Sequence, residues 1–308
     1  MKKSIFILGL AGITLMSCSK KNSPEPPTPD SDMTTAKDAV KSYEVMNDVF
    51  LMAALTRDTY TATPFFNNKP NLDTNIYKPH IIVKDTTNLT DYLIFRNTYG
   101  IDGSIRTGTI VIKYSASTLN AKYIRQPGFK CTVELYNYTI NTTTVSATSI
   151  VISNTTPNGF NPSSTKLTWS AAYSNFTINN GSSSVVLTAT HNITLNNTND
   201  ASVYNSTGNL PIQWQNANIN LTGNGNGSNS KGAFEIKFNE PTTDFLYRDF
   251  KNCAPEGFIK PGKHPFTKGL LYVKPGSKNT QTVNLGDGSC DYNIKVTIDG
   301  VSYQTDVL

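Results

Sequence analysis

Phe234-Glu235-Ile236-Lys237-Phe238 and Ile294-Lys295-Val296-Thr297-Ile298 decide the fold class, because in both stretches apolar residues alternate strictly with polar ones. A period of two marks a strand with one face in a core and the other in solvent, the usual state of antiparallel sheets. The same period recurs from residue 77 onward, and further strands are expected at 104–114, 130–138, 144–153, 166–177, 185–195 and 213–222. Turn clusters stand between them: Pro157-Asn158-Gly159, Asn179-Asn180-Gly181, Asn196-Asn197-Thr198-Asn199-Asp200 and Gly223-Asn224-Gly225-Asn226-Gly227. Each supplies residues that tolerate positive φ, which tight reversals need. Asp299-Gly300 between 292–298 and 301–307 is a type I′ hairpin signal. Short turns between successive strands favour pairing in order, so the β domain, residues 77–308, is expected to be an antiparallel meander sheet or sandwich. Residues 243–278 break the rhythm with Cys253-Ala254-Pro255-Glu256-Gly257 and Lys260-Pro261-Gly262-Lys263-His264-Pro265.

One helix is expected ahead of the sheet, at residues 34–58. Thr35-Ala36-Lys37-Asp38 has the form of an N-cap, with Asp38 in place of the glutamate of a capping box. Ala36, Val40, Tyr43, Met46, Phe50 and Ala54 then recur at steps of three and four, a single apolar stripe. The expectation is an amphipathic helix that covers one end or one face of a mainly β fold.

The chain opens with Lys2 and Lys3, an apolar run over residues 5–15, and Leu15-Met16-Ser17-Cys18. Residues 1–17 therefore read as a secretory signal peptide, too short to span a bilayer. Leu15-Met16-Ser17-Cys18 resembles the bacterial lipobox, which implies cleavage before Cys18 and lipid, palmitate included, on that cysteine. Three chains' worth of buried methylenes, at ~0.8 kcal/mol each, would make such attachment effectively permanent. Residues 18–33 continue as Ser19-Lys20-Lys21-Asn22-Ser23-Pro24-Glu25-Pro26-Pro27-Thr28-Pro29-Asp30, a proline-rich tether. Ser19 is not the aspartate associated with inner-membrane retention, and no acidic surface-export run follows. The expected location is the outer membrane, facing the periplasm, with the cell surface as the alternative.

The net charge of +5 over 308 residues falls to +3 once Lys2 and Lys3 leave with the signal peptide. That balance argues neither for nor against a polyanionic partner, and no nucleic-acid partner is expected. With 37% hydrophobic and 16% charged residues, the chain is polar yet able to build a core. Besides Cys18 it carries three cysteines in an oxidising compartment. Cys131 shares a face with Val133 and Leu135 and is expected in the core, whereas Cys253 and Cys290 flank turn-rich sequence and are expected to form a disulfide in the C-terminal part.

Gly100-Ile101-Asp102-Gly103-Ser104-Ile105-Arg106-Thr107-Gly108-Thr109-Ile110, Cys253, and Val283-Asn284-Leu285-Gly286-Asp287-Gly288-Ser289-Cys290-Asp291 followed by Val296-Thr297-Ile298-Asp299-Gly300 resemble an uncharacterised group of Bacteroidota cell-envelope lipoproteins. The likeness runs in patches from Gly100 to the end. It implies a mostly β lipoprotein with Cys253 paired to Cys290, and it brings no activity and no catalytic residue.

Local chemistry is sparse. His80, His191 and His264 lie far apart, none with a second ligand at zinc spacing, and the Gly286-Asp287-Gly288-Ser289-Cys290-Asp291 stretch lacks the alternating oxygens and closing glutamate of a calcium loop. No pair is singled out among Glu134, Glu235, Glu240 and Glu256 for glycoside hydrolysis, and neither a Gly-x-Ser-x-Gly elbow nor a phosphate-binding loop occurs. No enzyme, metal or cofactor is therefore expected. Arg248, Lys251, Lys260, Lys263, Lys268, Lys274 and Lys278 form a basic stretch that could face anionic headgroups but reads first as a solvated loop. Asp85-Thr86-Thr87 resembles a Bacteroidota O-glycosylation signal and hints at an exposed position. Two functional classes remain. One is a non-catalytic binding module for a glycan, a lipid or an envelope protein, with Tyr136, Tyr138, Trp169, Tyr173 and Trp214 as candidate ligand aromatics. The other is a structural or assembly lipoprotein that uses a sheet edge or face. For each aromatic, cross-strand packing is the competing role.

Overall fold

A computed structural model describes residues 30–58, 81–99, 104–114, 123–159, 161, 165–204, 211–239, 243–250, 252–253, 266–291 and 293–307. The signal peptide, Cys18 and the tether up to residue 29 lie outside the described residues. One helix, α1 (Thr34–Asp58), precedes β1 (Ile81–Asp85), β2 (Thr90–Tyr99), β3 (Ile105–Tyr114), β4 (Lys130–Ile140) and β5 (Thr143–Ser146). The chain continues through β6 (Ser149–Asn154), β7 (Leu167–Asn179), β8 (Ser184–Leu195), β9 (Asn218–Asn229) and β10 (Gly232–Lys237). It closes with β11 (Leu246–Asp249), β12 (Lys268–Pro275), β13 (Gln281–Asp287), β14 (Asn293–Ile298) and β15 (Val301–Asp306).

All fifteen strands belong to one antiparallel sheet in sequence order, from β1 at one edge to β15 at the other. The meander is the expected one, and it is a single sheet rather than a sandwich. Residues 144–153 are two strands, because β5 and β6 pair in turn with β4 and β7 and share one place between them. The last hairpin turns at Asp299 (φ 51°) and Gly300 (φ 81°), both left-handed as a type I′ turn requires.

The helix departs from expectation. Every residue of 49–58 is buried, which over nearly three turns includes all sides of the helix. An amphipathic helix lying on a sheet would leave one side wet; one buried all round is a core helix. Its side chains reach strands far apart in the sheet: Arg57 to Asp91 on β2, Asp48 to Arg106 on β3, Tyr43 to His191 on β8, Asp38 to Asn229 on β9 and Lys37 to Thr305 on β15. The sheet is therefore curled around α1. The run Val49-Phe50-Leu51-Met52-Ala53-Ala54-Leu55 carries this all-round burial, and the stripe reading looked past it. The start also shifts: Asp32 Oδ1 accepts from the Thr34 N–H at 3.0 Å, while Asp38 accepts from Asn229 Nδ2 at 2.6 Å. The capping carboxylate thus lies before the helix, and Asp38 serves the sheet.

Curling needs local bends. Register shifts occur at 95/98 between β2 and β3, at 107/109 between β3 and β4, at 173/176 between β7 and β8, and at 268/270 between β12 and β13. Asn97, Asn137 and Asn175 sit beside three of these shifts with φ of 52°, 48° and 46°, the left-handed conformation that asparagine tolerates. Such bulges increase twist and bend a sheet toward closure.

Gly223-Asn224-Gly225-Asn226-Gly227 is a correction, since it lies inside β9 and makes no turn. Its glycines alternate with asparagines, so Asn224 and Asn226 point outward while the glycines face in. A Cβ on Gly227 would stand 2.7 Å from Leu187 Cδ1 and from Phe234 Cζ. Residues 213–222 are corrected likewise: a 3-10 turn at Trp214–Asn216 comes first and the strand starts at Asn218. Residues 243–278, read as rhythm-breaking, contain the whole of β11 and of β12.

Candidate binding surface

The interior accounts for four of the five candidate aromatics. Tyr138, Trp169, Tyr173 and Trp214 are buried, and each packs against or bonds to α1 or to the rings around it. Tyr138 donates to Asp48 Oδ2 at 3.0 Å, and Tyr173 donates to the Met46 carbonyl at 2.9 Å. Trp169 and Trp214 flank Phe50, with ring centroids 5.9 and 6.5 Å away, and the Trp169 Nε1–H donates to the Ile124 carbonyl at 2.8 Å. These residues are packing partners and are withdrawn as ligand contacts.

Ionisable side chains near the helix are also tied to it. Arg106 pairs with Asp48, Arg125 with Asp58, and Arg57 with Asp91 at 2.6 Å. Arg57 further lies 3.8 Å over the Tyr114 ring. Burial pushes the Asp58 carboxyl up, against the pull of Arg125 and of the Ile212 N–H that donates to it at 2.6 Å. Pairing of this kind offsets the desolvation of each charge and fixes α1 in register with the sheet. The sequence reading missed these pairs, since their partners lie 34 to 67 residues apart.

The cysteines fall as expected. Cys253 and Cys290 form a disulfide with Cα atoms 5.3 Å apart, and Cys131 is free and buried. His191 is buried against Tyr43 and Tyr173, and His80 and His264 lie outside the described residues. Asp287 Oδ1 accepts from the Ser289 N–H and hydroxyl, an ordinary turn. The described basic residues are dispersed: Arg248 lies over Phe250, Lys268 over Tyr247, and Lys278 pairs with Asp30. Lys251, Lys260 and Lys263 lie outside the described residues. Asp85, the last residue of β1, accepts from the N–H groups of Thr87 and Asn88 in the exposed turn that follows.

Tyr136 is the exception among the aromatics, 53% exposed on the outer face of β4. Sheet register shows what surrounds it. Ile81, Ile94, Thr109 and Tyr136 form one row across β1 to β4, and Val83, Tyr92, Val111 and Glu134 form the next row on the same face. Ile81, Val83, Tyr92 and Tyr136 are exposed, so the first four strands turn an apolar and aromatic surface to solvent. Lys113 Nζ donates to Glu134 Oε1 at 2.6 Å, and the Tyr136 hydroxyl donates to Glu134 Oε2 at 2.7 Å. Lys113, followed by the Tyr136 hydroxyl, holds the Glu134 carboxyl below the usual range, and the same bonds raise the Lys113 ammonium and the Tyr136 phenol. Tyr92 and Lys113 were not singled out from sequence. The signal was the alternation Tyr92-Leu93-Ile94-Phe95, where apolar residues on both faces hid the exposed set. Elsewhere a depression between α1 and the β7–β8 hairpin, lined by Asp38, Lys41, Ser42, Asn180 and Ser183, has about 10 Å³ of free space, room for little more than one water molecule.

No family model, no curated protein and no solved structure matches the chain.

Proposed function

We propose that the chain is a lipid-anchored protein of the cell envelope that acts by contact, as a non-catalytic binding module whose working surface is the outer face of β1 to β4. The observation that carries this reading is the division of the aromatics. Four are used inside to grip α1, which fills the concave side of the sheet, and Tyr136 stands outside with Tyr92, Ile81 and Val83. A ligand held within the curl would compete with the helix, whereas one laid on the outer face meets side chains already in solvent. The buried Arg57–Asp91, Arg106–Asp48 and Arg125–Asp58 pairs serve to secure α1, which favours binding over turnover.

Anchoring rests on the lipobox-like Leu15-Met16-Ser17-Cys18, and outer-membrane placement facing the periplasm on Ser19. Asp30 and Asp32 pair with Lys278 and Lys231, so the chain enters the domain beside the β12–β13 and β9–β10 turns. The twelve steps from Cys18 to Asp30 reach at most ~40 Å, which keeps the domain within that distance of a bilayer. A second reading, an assembly lipoprotein that pairs through a sheet edge, is favoured by the exposed Ile81 and Val83 on the edge strand β1.

Metabolic labelling with a palmitate analogue should mark the wild type and leave Cys18→Ala unmarked. A photocrosslinker placed at position 136 in whole cells should capture an envelope component that the same crosslinker at Lys295, on the outer face of β14, does not. Equal label in both lipid forms, or equal capture from both positions, overturns the corresponding half of the reading.

A further inference from the structure

We infer that Tyr136, Tyr92, Glu134 and Lys113 form a stacking platform for a neutral glycan chain on the outer face of β2 to β4, an inference that rests on the contact reading above and names its ligand. Residues two apart on a strand have Cα atoms ~6.8 Å apart on the same face. That separation matches the reach of a tyrosine side chain. The bond from the Tyr136 hydroxyl to Glu134 Oε2 therefore ties the exposed Tyr136 ring back along β4. The ring is held in place before any ligand arrives, which lowers the ordering entropy that binding would otherwise lose.

A flat, open aromatic face suits a pyranose. The ring's negative quadrupole faces the axial C–H groups of the sugar, and the hydroxyls project sideways to groups at the border of the ring. Those groups are present: Glu134 offers carboxylate oxygens as acceptors and Lys113 an ammonium as donor, already paired at 2.6 Å. Because the pair is neutral overall, the platform favours an uncharged sugar over an anionic one. Tyr92 lies two strands from β4, in the Glu134 row, so its Cα stands ~10 Å from that of Glu134, which holds the Tyr136 hydroxyl, a span of about two sugar units along an extended chain. The ligand class is thus a polysaccharide that meets the surface at alternate units.

The test titrates the full-length, anchored chain in detergent micelles with cellohexaose, chitohexaose and maltohexaose, read by saturation-transfer NMR. At least one should bind saturably. Tyr136→Ala should weaken that binding about tenfold or more, and Tyr92→Ala and Glu134→Gln by smaller factors. Tyr136→Phe keeps the ring and should lose only about two- to threefold, while Lys295→Ala should bind as the wild type does. All four positions are on the outer face, so an unchanged thermal midpoint verifies that each of the five variants is folded. The proposal falls if none of the three sugars binds, or if Tyr136→Ala binds like the wild type. Silent sugars together with a protein captured by the crosslinker at position 136 would end the glycan assignment and leave the contact reading standing; silence in both would end both.

Discussion

The imidazole of His191 on β8 lies with its centroid 4.3 Å from the Tyr43 ring on α1, and neither of its nitrogens has a hydrogen-bond partner among the described residues. Tyr173 closes the other side at 5.1 Å. Burial drives the His191 pKa down to about 3, from an ordinary value of 6.5. Above pH 6.5 the imidazole is neutral in both folded and unfolded chains. Between 6.5 and about 3 only the unfolded chain takes up the proton, so stability falls as pH falls, by at most about 1.4 kcal/mol per pH unit from this group. Asp58, whose folded pKa is raised, contributes with the opposite sign near the carboxylate range, so the comparison must be between variants. His191→Leu should be at least as stable as the wild type at pH 7.5, and its advantage in urea midpoint should widen at pH 5. A constant difference across that range would show that His191 is not neutral in the folded state.

Asp48 and Arg106 join the middle of α1 to β3, and Arg106 is 1% exposed. Tyr138 donates to the same carboxylate. Removing one member leaves a buried charge without its partner, so Arg106→Ala should destabilise by about 3–5 kcal/mol in denaturant unfolding. Asp48→Leu with Arg106→Met should recover much of that loss, because an apolar pair of similar volume removes the desolvation penalty along with the attraction. A double variant as unstable as Arg106→Ala would mean that the pair contributes more than its desolvation takes away.

How far the sequence shows this architecture depends on the range of the interaction. Alternation in Phe234-Glu235-Ile236-Lys237-Phe238 is local and gives the strand directly, and Asp299-Gly300 gives its turn for the same reason. Whether Trp169 faces a helix or a ligand depends on where α1 lies, which no nearby residue encodes. Asn-Gly alternation in residues 223–227 is ambiguous in isolation: it reads as a turn until Leu187 and Phe234 are placed opposite, and then only glycine fits. The outer site is half legible. Tyr136 was identifiable on β4, but Lys113 and Tyr92 join it only through the register of β2, β3 and β4.

Gly223 takes φ of +146° on β9, and a Cβ there would lie 1.9 Å from the Thr190 carbonyl oxygen. Gly108 on β3 is similar, at φ +93° and 2.2 Å from the Asn137 carbonyl oxygen. In both cases the neighbouring strand's backbone is the obstacle and cannot swing aside as a side chain can. Gly223→Ala and Gly108→Ala should each destabilise by more than the ~1 kcal/mol of a left-handed alanine alone. Gly159→Ala, at φ +78° with nothing within 4 Å, provides that baseline. Equal thermal midpoints for the three variants would show that the strands separate at little cost and that the sheet is not held tightly curled.

The free thiol of Cys131 lies on the inner face of β4, 1% exposed, and burial pushes its pKa up to about 12. A thiol so placed is neutral and out of reach, so a disulfide-exchange reagent should leave the folded chain unlabelled and modify one thiol after unfolding in urea. Cys253 and Cys290 should stay joined in an unreduced digest. Their loop spans 37 residues, which by chain entropy corresponds to a stabilisation of about 4 kcal/mol if the reduced chain has no compensating structure. Cys253→Ser with Cys290→Ser should therefore lower the denaturant midpoint by that order and leave the unreactivity of Cys131 in buffer unchanged. Rapid labelling of Cys131 in the double variant would mean that the disulfide holds the whole sheet around α1 and not only its C-terminal strands, because Cys131 lies on β4, several strands away in the sheet order from β11 and β13, which lead into the bridge.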